Sequence, residues 1–191
     1  MISPINDFIR RFAPISADLE EQLSVSTEQK NFDKKVLLTR IGDIENNIYF
    51  IVKGLVRVYF LKGKTEIIVH LAKEGEMAGA VASYFSGDPS RYFVETMEPV
   101  TAVIISKKAS EELYSQNKEW EKIGRIVTAH YVVQQEMRIM DNIRYNTSER
   151  FTRFMQNNTD LLQRVPQKYL ASYLNIKPET FSRLKKLMQK K

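Results

Sequence analysis

Glu179, Ser182, Arg183 and Lys186 stand three and four residues apart. On a helix that spacing places all four on one stripe. Their chemistry suits base edges: an arginine fork matches guanine O6 and N7, and a carboxylate accepts from cytosine N4. A helix in the major groove presents side chains in this way. A carboxylate beside phosphates serves general adhesion poorly, so Glu179 points to base reading. The solvated face of an ordinary amphipathic hairpin would show the same bare spacing. Three neighbours favour the first reading. Asn175 sits where the chain must reverse, and Asn tolerates the left-handed conformation. Pro178 suits the first helical turn, where its missing N–H costs nothing. Phe181 lies on the opposite, apolar side.

Other chemistry is scarce. The chain has no cysteine, which excludes disulfides, thiolate metal sites and cysteine nucleophiles. Its two histidines, His70 and His130, fall in different expected elements, so the His and carboxylate cluster of a cupin-type metalloenzyme is missing. No Gly-rich phosphate loop, serine elbow or carboxylate pair stands out. We expect no catalytic residues, no metal and no cofactor. The isolated acids read as solvated surface charges.

The stripe needs a scaffold. Pro166–Leu187 reads as two short helices joined by a tight turn. Leu170, Ala171 and Leu174 share one apolar face; Ile176, Phe181, Leu184 and Leu187 or Met188 continue it. The run Glu179-Thr-Phe-Ser-Arg183, preceded by Leu170-Ala171 and Leu174, resembles the helix-turn-helix of the Crp/Fnr transcription regulators. The resemblance implies base reading by Glu179, Ser182 and Arg183. It implies phosphate contacts by Gln167, Lys168, Lys177 and Thr180, and Lys186 joins them from the same stripe. Three residues depart from the pattern: Lys177 replaces a Ser or Thr cap, at a cost of about 1 kcal/mol; Pro178 stands where some members place a base-reading Arg; and Asn175 replaces the turn Gly.

The 191 residues suffice for one large domain or two small ones, and 43% hydrophobic with 27% charged content is ordinary globular material. The net charge of +6 is concentrated at one end. From Leu161 onward, Arg164, Lys168, Lys177, Arg183, Lys185, Lys186, Lys190 and Lys191 face a single acid, Glu179. Such an end binds polyanions. A membrane-surface helix would need a large apolar face with Trp, which this segment lacks. No apolar run reaches the roughly 18 residues of a membrane span, and the N-terminus has no signal-peptide core. A cytoplasmic location is the default expectation.

From the start, Ser3 and Pro4 read as cap and first residue of a helix through Phe12, interrupted by Pro14. Ser16 caps a second helix bearing Leu19 and Leu23. From Thr27 to Ser106 the period becomes two. Ile48, Phe50 and Val52, then Val56, Val58 and Phe60, then Ile67, Val69 and Leu71 alternate with their neighbours, and Val100–Ser106 is strand-like. Gly42, Gly54, Gly63, Gly75 and Gly87 mark turns. Many short strands so spaced mean a small antiparallel barrel or sandwich. Asn47–Val58 and the glycines at 42, 54, 75 and 79 resemble the cyclic-nucleotide-binding jelly roll. That likeness places a candidate effector pocket at Gly79, Ala80, Ser90 and Arg91. In the family a Glu holds the ribose and an Arg-Ser or Arg-Thr pair holds the phosphate. Here the first position is Ala80 and the second reads Ser90-Arg91, so we expect no tight binding of cAMP or cGMP.

From about Asn117 the helical period returns. Ile123, Ile126, His130, Val133, Met137 and Met140 follow three- and four-residue steps, a coiled-coil seam. A helix from Trp120 to Ile143 would be roughly 36 Å long. The seam suits a homodimer; a helix lying on its own barrel is the alternative. His130 reads as a packed interface residue. Thr147 is the expected cap of the next helix, with Asn146 as hinge; Phe151, Phe154 and Met155 share its face. Leu161–Val165 reads as a short strand, and wing strands should be short or absent.

The expected fold is α+β: a cyclic-nucleotide-binding-type double-stranded β-helix over 1–116, a dimerisation helix over 117–145, and a winged-helix-like helix-turn-helix over 146–191. The expected partners are double-stranded DNA and a second copy, with RNA polymerase and an unidentified small-molecule effector as further candidates and no membrane. The alternative reading is a sensory or interaction module whose basic tail binds without sequence choice.

Overall fold

The computed structural model describes residues 4–188; the expected cap Ser3 and the terminal Lys190 and Lys191 lie outside the described residues. The chain divides into two compact units, one within Met1–Phe60 and His70–His130, the other within Leu61–Val69 and Tyr131–Lys191.

Two short helices, α1 (Pro4–Arg10) and α2 (Ala17–Ser26), open the first unit. Ser16 caps α2, its hydroxyl accepting from the Leu19 N–H. The strands are β1 (Glu28–Phe32), β2 (Leu37–Thr39), β3 (Asn47–Lys53), β4 (Val56–Lys62), β5 (Thr65–Ala72), β6 (Met77–Ala78), β7 (Phe93–Thr96) and β8 (Val100–Ser106). Helix α3 (Val81–Ser86) lies between β6 and β7, and α4 (Lys107–Gln116) and α5 (Lys118–Arg144) follow β8. The strands form two four-stranded sheets, ordered β1-β8-β3-β6 and β2-β7-β4-β5. All the ladders joining β8 to β1 and β3, and β7 to β2 and β4, are antiparallel, with Tyr49 opposite Ile104 and Val58 opposite Val94. This is an antiparallel sandwich of jelly-roll type, followed by a long helix and C-terminal helices.

The turns are where the glycines placed them. At Gly54, φ is +102°, and a Cβ would lie 2.5 Å from the Pro99 carbonyl oxygen, so the β3–β4 turn can pack on the β7–β8 connection only without a side chain.

The expected strict alternation fails in β3. Tyr49, Phe50 and Ile51 are consecutively buried. The reason is a second core on the outer side of the strand. Ile5, Phe8 and Ile9 of α1, Leu19 and Leu23 of α2, Leu113 of α4, and Trp120 and Ile123 of α5 cluster on Phe50 and Val103. The Phe8 and Phe50 rings lie 5.4 Å apart, and the Trp120 indole N–H donates to Gln22 at 2.9 Å. Helices too short to stand alone are held by this cluster. Each fully buried Phe or Ile contributes about 1.5–3 kcal/mol.

The second unit contains the β4–β5 hairpin tip, the second half of α5, and α6 (Thr147–Asn157), α7 (Leu161–Arg164), α8 (Gln167–Tyr173) and α9 (Pro178–Met188). The Ser172 hydroxyl of α8 accepts from the Ile68 N–H at 2.9 Å and donates to the Glu66 carbonyl at 3.0 Å, which ties the hairpin tip to the helices.

Two expectations need correction here. Leu161–Val165 is a helical turn, not a strand: Leu161 and Val165 are both buried, and the Val165 N–H donates to the Leu161 carbonyl at 2.9 Å. Asn146, not Thr147, caps α6. Its side chain accepts from the N–H groups of Ser148 and Glu149, while the Glu149 carboxylate accepts from the Asn146 N–H. The pairing is a capping box, which Thr147 could not complete because its third residue on is Arg150.

Candidate nucleic-acid interface

Helices α8 and α9 are joined by a turn whose geometry follows from its sequence. Asn175 has φ +54°, in the left-handed region. The Ile176 N–H donates to the Ala171 carbonyl and the Asn175 N–H to the Ser172 carbonyl, both at 3.0 Å. These two bonds are a Schellman motif, and they satisfy carbonyls that the end of α8 would otherwise leave open. Pro178 then begins α9.

One face of this pair is anchored. Phe181, Leu170 and Ala171 are fully buried, with Phe151, Phe154, Leu161, Val165 and Leu174 beside them. The Phe151 and Phe181 rings meet edge to face, 5.1 Å apart at 81°. The apolar side of α9 is shorter than expected: Leu184 is half-buried, but Leu187 and Met188 are exposed.

The other face is open. Glu179, Ser182, Arg183 and Lys186 are all exposed on α9. Gln167 and Lys168 at the start of α8, and Lys177 before α9, are exposed, and Thr180 is half-buried. The unit therefore holds a rigid two-helix platform with one acid among several cations on its outer surface. Polar side chains so placed can meet base edges and phosphates.

The four effector-pocket candidates behave differently. Gly79 and Ala80 lead into α3, and the Ala80 N–H donates at 3.2 Å to the carboxylate of Glu45. Glu45 is buried. It also accepts from the Thr39 hydroxyl and the Asn47 N–H, and its own N–H donates to Ser83 Oγ. A Cβ at Gly79 would lie 3.9 Å from that carboxylate. Ser90 is buried, and its hydroxyl donates to the Tyr92 carbonyl and accepts from the Tyr92 N–H. Arg91 is exposed. Elsewhere on the roll, buried Arg57 and half-buried Glu95, opposite each other on β4 and β7, form an ion pair at 2.7 Å. Glu45 and Glu95 are thus not the solvated acids expected from the sequence. Each has its donors within the chain, and neither stood in a motif that would have flagged it.

The expected seam of α5 divides in two. Ile123 is buried in its own chain's core and Ile126 packs against that core, so Ile123 is not available to a partner; α1 and α2 fold back to cover it. The His130 ring lies 4.6 Å from that of Phe12. Val133, Met137 and Met140 are exposed on one face, and Val132, Ile139 and Ile143 are exposed on the adjoining one.

Residues 29–117 match the family model described as the cyclic nucleotide-binding domain. The match spans the two sheets and α4, and it is to under half of the chain. No curated protein sequence matches the chain. Among solved structures, its neighbours are regulators of the Crp/Fnr type. The c-di-GMP responsive global regulator CLP of Xanthomonas campestris is 19% identical, covering 91% of this chain and 92% of its own, with a TM-score of 0.65. FixK2 of Bradyrhizobium japonicum is 17% identical over 86% of this chain and 85% of its own, at 0.70. The catabolite activator protein of Thermus thermophilus is 17% identical over 98% and 87%, at 0.57. At these identities the likeness is one of fold, and it covers most of the chain. No described helix is long and apolar enough to cross a membrane.

Proposed function

We propose that the chain is a homodimeric, sequence-specific DNA-binding transcription regulator of Crp/Fnr type, reading a near-palindromic operator through Pro178–Met188 and not controlled by cAMP. The observation that carries this reading is the exposed stripe of Glu179, Ser182, Arg183 and Lys186 on a helix locked from behind by Phe181. Glu179, Ser182 and Arg183 read bases; Gln167, Lys168, Lys177, Thr180 and Lys186 hold phosphates. The sensory roll spans 1–116, the dimer helix 117–145 and the DNA-reading helices 146–191. Dimerisation uses the exposed second half of α5, from Val132 to Ile143, because an apolar stripe of this length on a monomer is left in water. A two-fold pair then meets half-sites one helical turn apart, about 34–36 Å. RNA polymerase is the natural further partner, and the site of action is cytoplasmic.

Independence from cAMP follows from the roll. A bound cyclic phosphate needs a cation and several donors. Here the Ala80 N–H is taken by Glu45, the Ser90 hydroxyl by Tyr92, and Arg91 faces solvent.

Selection of bound sequences from a random DNA pool tests the proposal. A near-palindrome with half-sites one turn apart is the expected result. Recovery of a pool with no common sequence would favour a module whose basic tail binds without sequence choice.

A further inference from the structure

Within the second unit, the C-terminal end of α5 and the helices α6 and α8 line an open cavity of about 170 Å³. Three arginines line it: Arg138 from α5, and Arg150 and Arg153 from α6. The single acid on its wall is Asp141, and no ion pair among the described residues joins it to any of the three. The wall therefore carries a surplus of two positive charges.

Two of the guanidinium groups are already oriented. Arg138 lies over the Tyr173 ring at 4.2 Å and Arg153 over the Tyr145 ring at 4.3 Å. Stacking fixes the plane of a guanidinium and leaves its edge donors to bind elsewhere. Part of the cluster is structural. Arg150 Nη1 donates to the Tyr145 carbonyl at 2.8 Å and the Asn142 carbonyl at 3.4 Å, closing the last turn of α5, and Arg138 Nη1 donates to the Val69 carbonyl. That role leaves two things over. Arg150 Nε is shielded from solvent with no partner, and a buried donor without one costs free energy. Arg153, exposed, adds a third like charge where none is needed to cap a helix.

We propose that this cavity binds a small phosphate-class oxyanion, distinct from the roll. A tetrahedral oxyanion offers several acceptors to arginine forks and neutralises the surplus charge. The size fits. At about 170 Å³ it is below the roughly 300–1,000 Å³ of drug-sized ligand sites. The amide of Asn157, also on the wall, supplies a neutral donor. An anion held here bridges the end of α5 to α6, the helix whose Phe151 supports α9, and so ties effector occupancy to the set of the DNA-reading helix.

Isothermal titration of the full chain with inorganic phosphate, at constant ionic strength set with chloride, tests the proposal. Saturable binding of one phosphate per chain is expected, with a phosphate-dependent rise in Tm. Asn157→Asp is isosteric and puts a carboxylate on the wall; Arg153→Gln removes an exposed charge. Each should weaken phosphate binding roughly tenfold or more, the order of one lost charge-assisted hydrogen bond, with the titrations run well below the Tm of every variant. No saturable binding, or equal affinity in wild type and both variants, would overturn the assignment. Binding of random duplex DNA is measured in parallel. If phosphate and duplex compete and Asn157→Asp weakens both equally, the cavity is a DNA-backbone contact and the free oxyanion is excluded.

Discussion

In the roll, Glu45 accepts from Thr39, Asn47 and Ala80, Ser90 folds onto the backbone of Tyr92, and Arg57 is buried against Glu95. In the C-terminal unit, Glu179, Ser182, Arg183 and Lys186 stand in water on a helix whose opposite face is sealed by Phe181. Both regions bring charged groups together on a rigid frame. One has its polar atoms satisfied from within; the other leaves them for a partner. The contrast shows how a jelly-roll sandwich can hold its fold with the very groups, the Ala80 N–H and the Ser90 hydroxyl, that were candidates for a ligand. A buried carboxylate with three donors stabilises the sandwich, and the same bonds remove the donors that an incoming phosphate would require.

The largest effect that would sharpen this contrast is removal of the anchor behind the open face. Phe181→Ala leaves a cavity under α9 and should cost about 3–5 kcal/mol. Chemical unfolding followed by Trp120 fluorescence, which reports the roll, and by far-ultraviolet circular dichroism should then separate into two transitions, with only the helical one weakened. On the open face itself, Arg183→Ala should cost about 1–3 kcal/mol on the selected operator and relax preference at one base position, whereas Lys168→Ala should weaken operator and random duplex alike. Equal losses for Arg183→Ala on both duplexes would erase the distinction between reading and adhesion.

On the inward side, the Tyr49 phenol is pushed up to about 12, first by burial and then by the Glu45 carboxylate. Unfolded, it ionises near 10. The stability it contributes in neutral form is therefore complete below pH 10 and is lost as the pH rises toward 12. The stability difference between wild type and Tyr49→Phe should be flat below pH 10, and the wild type should lose ground between pH 10 and 12. A difference that stays flat through that window would mean the phenol is solvated. The smallest effect is a null: titration with cAMP should release no saturable heat, and micromolar binding would break the comparison at the roll.

The C-terminal helices were easier to read than the roll, because their signals are local. Asn175, Pro178 and Phe181 each act within a few residues of their own position, and the turn, the helix start and the anchor follow from them. The cap of α6 was within reach too, since only Asn146 has Glu three residues on. The short helix at Leu161–Arg164 was not, because an apolar run of that length has no period to measure. Burial of Ile123 depends on α1 and α2, more than ninety residues away in sequence, returning to cover α5. A seam in the sequence cannot say which of its residues the chain itself will bury. Glu45 was unreadable for the same reason: its donors come from Thr39, Asn47 and Ala80, brought together only by the closed sandwich.

Fluorescence anisotropy on the selected palindrome and on a random duplex, at two salt concentrations, tests the central claim most directly. The account predicts binding of two chains per palindrome, with a preference over random DNA of about a thousandfold or more that persists at the higher salt. A ratio near one at both salts, or one chain bound per duplex, would contradict it.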